Sequence, residues 1–124
     1  MRVLVVEPMK RPEIREIDGT LEAMQQLVGG TIQALYPFSD LVAIVANDDA
    51  KILGMMPNRG LRDDAGKLYD ILCGTFFICG LTEDNFCSLT DDQIAKFEKM
   101  YETPEWFLKV GDHLLVLPME EDSL

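Results

Sequence analysis

With 124 residues, the chain has the length of one domain and can bury roughly two thirds of the surface its unfolded form would expose. Hydrophobic residues make up 48% and charged residues 27%, a balance that excludes compositional disorder over most of the chain. The formal charge of −11 argues against direct binding to nucleic acid or an anionic membrane, both of which would repel it, and favours a basic protein partner.

Residues 3–6, an apolar run ended by Glu7-Pro8, predict a buried strand. Residues 13–17 alternate charged and apolar side chains, the pattern of a strand with one wet face, so the chain opens on a hairpin. Lys10 and Arg11, with Arg2 and Arg15 nearby, fit a solvated hairpin tip. Thr20 is the expected N-cap of a helix whose apolar face is Leu21, Met24, Leu27 and Val28, with Glu22 in the first turn and Gly29-Gly30 as the stop. A strand over 31–36 follows, and 41–46 is the most continuous apolar run, the expected central strand.

Asn47, Asp48, Asp49 and Ala50 carry turn chemistry, which predicts that Lys51, Ile52 and Leu53 fold back as a short partner strand. Residues 54–60 lack periodicity and read as a loop that leads to a second acidic turn over 62–67. Residues 68–80 are apolar almost throughout and read either as one bent strand or as two pieces hinged at Gly74. Thr90 and Gln93 form a capping box before Ile94, Phe97, Met100 and Tyr101, a second helical stripe that ends at Thr103-Pro104. Glu105, Trp106, Phe107 and Leu108 read as an aromatic core anchor or, as the alternative, an exposed docking patch, 114–118 as an edge strand, and 119–124 as an acidic, frayed tail.

The motifs name no reaction. His113 is the lone histidine, and no serine sits in a GxSxG turn. Cys73, Cys79 and Cys87 form no CxxC pair and read as reduced core thiols, so no zinc set is assigned. Neither acidic turn follows the calcium-loop pattern, and neither GxGxxG nor a phosphate loop is present. The expectation is therefore a protein without catalytic residues, metal or cofactor. The N-terminal apolar run is too short for a signal peptide, and no apolar run nears the roughly twenty residues that span a bilayer, so a cytoplasmic location is the default.

Two sets of side chains remain as candidate sites. Asn47, Asn58, Arg59 and Asp70 combine a planar cationic fork with amides and a carboxylate, a set suited to a small anionic, nucleotide-like ligand. The structural alternative is an Arg59–Asp70 ion pair stitching the loop to the sheet, with Arg62 as another possible partner for Asp70. Asp48, Asp49, Asp63 and Asp64 lie on the two exposed acidic turns and are the candidate partner-binding residues. An acidic surface that imitates DNA to block a defence protein is a further alternative.

Val5-Val6-Glu7-Pro8, Ile17-Asp18-Gly19-Thr20-Leu21-Glu22, Val28-Gly29-Gly30, Tyr36-Pro37, Pro57-Asn58-Arg59 and the run from Gly74 to Gly80 together resemble the domain-of-unknown-function family 3846. The resemblance covers about residues 1–108 and implies an intracellular accessory protein of Gram-positive gut bacteria, their phages or conjugative elements. It implies no activity and no catalytic residue. The expected fold is α+β, with a mostly antiparallel sheet, a ββαββ opening of β-grasp-like type and a C-terminal helix. It is expected as one domain over 1–108, followed by an extension over 109–124 that contains His113. The expected function is non-enzymatic binding of a macromolecule in a mobile-element setting.

Overall fold

The computed structural model describes residues 1–119. The order of elements is β1 (Arg2–Val6), β2 (Glu13–Glu16), α1 (Leu21–Val28), β3 (Ile32–Leu35), β4 (Val42–Asn47), β5 (Pro57–Arg62), β6 (Leu68–Cys73), β7 (Phe76–Leu81), β8 (Phe86–Cys87), α2 (Asp91–Tyr101), β9 (Glu105–Val110) and β10 (His113–Pro118). The class is α+β. The ββαββ opening is present, and β7, from beyond it, lies between β1 and β4 in a sheet ordered β2-β1-β7-β4-β3, with β8 pairing the end of β7. All of these pairings are antiparallel.

Period-two alternation sorts the sheet into two cores. Val3, Val5, Ala43, Val45, Phe77 and Cys79 face α1, which contributes Met24 and Val28. Leu4, Val6, Val42, Ile44, Phe76 and Ile78 face the other way, toward Ile94, Phe97 and Tyr101 of α2 and toward Leu61 and Leu72 of the β5–β6 hairpin. The sheet is thus covered on both faces, which explains why β4 is buried at every position.

Both helices begin where the capping residues predict. Thr20 Oγ1 accepts from Ala23 N at 3.2 Å, and α1 ends on Gly29 in the left-handed conformation at φ 79°. Thr90 and Gln93 complete the capping box. Leu21 and Met100, expected on the apolar stripes, are instead exposed, because each helix meets the sheet over a narrower arc.

Three expectations are corrected, and one open alternative is decided. Residues 51–53 form no strand: 48–54 close into a compact turn through Leu53 N to Asp49 O at 2.9 Å and Met55 N to Ala50 O at 3.0 Å, leaving Ile52 at the surface. The expected loop over 54–60 gives way at Pro57 to β5, which pairs with β6 across the acidic turn. The run 68–80 is two strands turned at Gly74, where φ is 73° and an added Cβ would meet Met55 Sδ at 2.7 Å. Trp106 and Leu108 are no core anchor; each is about half exposed, on a β9–β10 hairpin that forms its own two-stranded sheet. That hairpin runs through position 108, and the expected frayed tail lies, from residue 120, outside the described residues. No described helix is long and apolar enough to cross a membrane.

Candidate functional site

Arg59 is the largest fully buried side chain, with 1% of its surface exposed. A guanidinium so placed needs acceptors for its five N–H groups. Nε and Nη2 donate to Tyr101 O at 3.3 and 3.0 Å, Nη2 also to Lys10 O at 2.6 Å, and Nη1 to Asn58 O and Oδ1 at 3.2 and 2.9 Å. The Tyr101 carbonyl belongs to the last turn of α2, where carbonyls lack helical partners and the dipole favours a cation. Burial lowers the Arg59 pKa, and the nearby Glu105 carboxylate opposes that shift.

Asn58, 1% exposed, completes the arrangement by donating to Val6 O at 2.9 Å and Gly74 O at 2.8 Å. Its amide fastens β5 to the end of β1 and to the β6–β7 turn. Asn58 and Arg59 therefore form one buried polar knot whose donors all meet protein groups.

Asp70 stands apart from this knot. The expected Arg59–Asp70 pair does not form: Asp70 Oδ1 binds Lys51 Nζ at 2.5 Å and accepts Ile71 N at 2.8 Å. The Tyr101, Lys10 and Asn58 oxygens claim the guanidinium, and the turn over 48–54 presents Lys51 to Asp70. Burial pushes the Asp70 pKa up, but the Lys51 hydrogen bond, the Ile71 N–H and the Lys51 charge together leave it below the ordinary value.

Asn47, 4% exposed, binds Val28 O at 3.2 Å and accepts Asp49 N at 2.7 Å, so it ties the acidic turn to the end of α1. Asn47, Asp48, Asp49, Lys51 and Asp70 line one depression of about 290 Å³. The four residues of the anionic-ligand set are thus divided between this depression and the buried knot.

Asp63 and Asp64 lie elsewhere, on a groove of about 470 Å³ between the β3–β4 loop, the β5–β6 turn and the C-terminal half of α2. Its charged walls hold Asp40, Asp63, Asp64 and Glu105 against Arg62 and Lys96, and Phe38, Leu61, Met100 and Tyr101 supply apolar surface. Lys96 Nζ bridges both Asp40 oxygens at 2.8 Å, and Arg62 Nη2 meets Glu105 Oε2 at 2.9 Å. Among the described residues the groove has four carboxylates and two cations, each cation already paired, a balance of −2. The Lys96 hydrogen bond holds the Asp40 carboxyl below its usual range. Asp63 is partly committed to its own turn through Ala65 N and Lys67 N, both at 2.9 Å.

The cysteines are free. Burial pushes the Cys79 thiol up to about 12, and the Cys73 thiol is raised by burial as well, so neither is an activated nucleophile. Among the described residues, no group of three or more His, Cys, Asp or Glu side chains is placed to hold a metal ion.

The surface that the sequence offered only as the alternative to a core anchor is the β9–β10 hairpin. Register pairs Trp106 with Leu117, Leu108 with Leu115, and Val110 with His113, so these six share one face. Trp106, Leu108, Val110, Leu115 and Leu117 are all 43–58% exposed. The opposite face sends Phe107 and Leu114 toward Tyr69, Ile71 and Cys73 of β6, across an apolar cleft of about 380 Å³. The signal in the sequence was a run apolar at both parities over 114–117, which a strand with one solvated face does not need.

The family described as Domain of unknown function (DUF3846) matches residues 1–102, and the chain belongs to it. The match ends between α2 and β9, so the exposed hairpin lies beyond it. No curated protein and no solved structure matches the chain.

Proposed function

We propose that this DUF3846 protein is a non-enzymatic protein-binding module that receives a basic segment of its partner in the groove beside α2. One observation carries the reading: four carboxylates surround two cations that are already paired, over an apolar floor. An entering Lys or Arg would meet uncompensated negative charge, and its aliphatic stem would find Phe38 and Met100. The overall charge of −11 adds long-range attraction for such a partner. The motif resemblance to proteins of phages and conjugative elements supports an accessory role in mobile DNA, exerted through another protein in the cytoplasm.

A panel of Lys- and Arg-rich peptides titrated against the full chain tests this reading, with binding followed by anisotropy of a labelled peptide. Binding should weaken as salt rises, and Asp63→Lys/Asp64→Lys should lower affinity about tenfold or more, the scale of losing a charge-assisted contact. Asp48→Lys/Asp49→Lys, on the separate depression, should cost less. Binding that ignores both salt and the groove substitutions would overturn the proposal.

A further inference from the structure

We infer that the outer face of the β9–β10 hairpin is a homodimer interface, in which two copies of the chain stack hairpin on hairpin about a twofold axis. This goes beyond the groove reading and rests on different residues. Three observations carry it.

The first is area. A fully exposed large apolar side chain presents roughly 150–250 Å², and at 43–58% exposure the five apolar residues leave about 400 Å² uncovered on one face. That lies within the range of patches that mark interaction sites. It also approaches the apolar share of one side of a standard interface, about 800 Å² per partner and a little over half non-polar.

The second is charge. Among the described residues, the face consists of Trp106, Leu108, Val110, His113, Leu115 and Leu117 and carries no carboxylate. In a chain of net charge −11, this surface offers a basic partner nothing to pair with. A second copy meets it without burying a charge.

The third is shape. The face has three cross-strand rungs: the bulky Trp106–Leu117, the middle Leu108–Leu115, and the smaller Val110–His113. A twofold axis through the middle rung, in the plane of contact and at right angles to the strands, sets the bulky end of each copy over the small end of the other. Leu108 then lies over Leu108, and Leu115 over Leu115. The taper is self-complementary, as an isologous contact requires.

The test is sedimentation of the full chain across a concentration series at low and high salt. Dimer should form and should strengthen as salt rises, since salt screens the repulsion between two chains of charge −11. Binding of a basic peptide in the groove should weaken under the same change, so the two readings fail separately. Leu108→Lys and Leu108→Glu should each be monomeric, with thermal melts confirming that they fold, and mixing them should restore a dimer because the two positions meet across the axis. A chain that stays monomeric at high salt and millimolar concentration overturns the inference, as does a dimer indifferent to both Leu108 substitutions. A dimer that both substitutions abolish and their mixture fails to restore overturns the stacked arrangement.

Discussion

The β5–β6 and β9–β10 hairpins have the same construction and opposite placements. Each is two antiparallel strands forming a separate sheet, and each lies outside the main sheet. β5–β6 turns Leu61 and Leu72 into the core, and its Asn58–Arg59 knot reaches β1, the β2-side loop and α2. β9–β10 is fastened at its base by Glu105, which accepts Gly60 N at 3.0 Å and pairs with Arg62, and it leaves its apolar face outside. What separates them is the destination of their side chains, since both sequences contain strand-forming stretches broken by turn residues. A polar pair that looks like loop chemistry has become interior, and an aromatic cluster that looks like core has become surface.

Removing the knot should have the largest effect. Arg59→Met leaves the Tyr101 and Asn58 acceptors buried, and the Lys10 carbonyl half-buried, without donors, and urea denaturation should show a loss of about 3 kcal/mol or more. Arg59→Lys should recover little, because a single ammonium cannot span acceptors arranged for a planar fork. Near-wild-type stability of Arg59→Met would show that the two hairpins are held equally loosely.

A matched pair of truncations sharpens the contrast at the next level. Leu72→Ala, at a position 5% exposed, should cost about 2–5 kcal/mol. Leu115→Ala, at 43% exposure, should change stability by about 0.5 kcal/mol or less when measured in dilute solution, where association contributes nothing. Equal losses would place Leu115 in a packed environment within the single chain.

A further small effect is electrostatic. Asp40 and Asp70 both have carboxyl pKa values below the ordinary 3.8, so their ion pairs contribute stability that is fully present above that pH and is lost as pH falls through the depressed native values. Lys96 is half exposed, and the contribution of its pair should be below about 1 kcal/mol. In a series of thermal melts against pH, Lys96→Met should narrow the difference from wild type as the solution becomes acidic, and a constant gap would assign the effect to Lys96 packing on Phe97.

Much of the framework was legible in local chemistry. The uninterrupted apolar runs gave β1 and β4, and Thr90 with Gln93 marked the start of α2, because those signals lie within a few residues of the structure they specify. β5 was hidden because Asn58 and Arg59 are satisfied by carbonyls up to 52 positions away in the chain. No periodicity within 54–60 records such partners. The candidate ligand residues were separated for the same reason: adjacency of residue types says nothing about which carbonyls already hold them. The hairpin stayed undecided between core anchor and docking patch because an apolar strand reads alike whether its face meets the core or the solvent.

The central position of β7 has a consequence for how the protein is made. β1 and β4 do not bond each other; each bonds β7. While the ribosome has released only the first half of the chain, β1–β2 and β3–β4 can pair only as separate ribbons, because no pairing joins β1 to β4. Their edge groups are open to water and to other nascent chains. Entry of the strand at residues 76–81 joins the two ribbons in one step and brings distant segments together, so folding should be slow for a chain of this size and should start only late in translation. β7 is a keystone, and a product cut short before it has no sheet to finish.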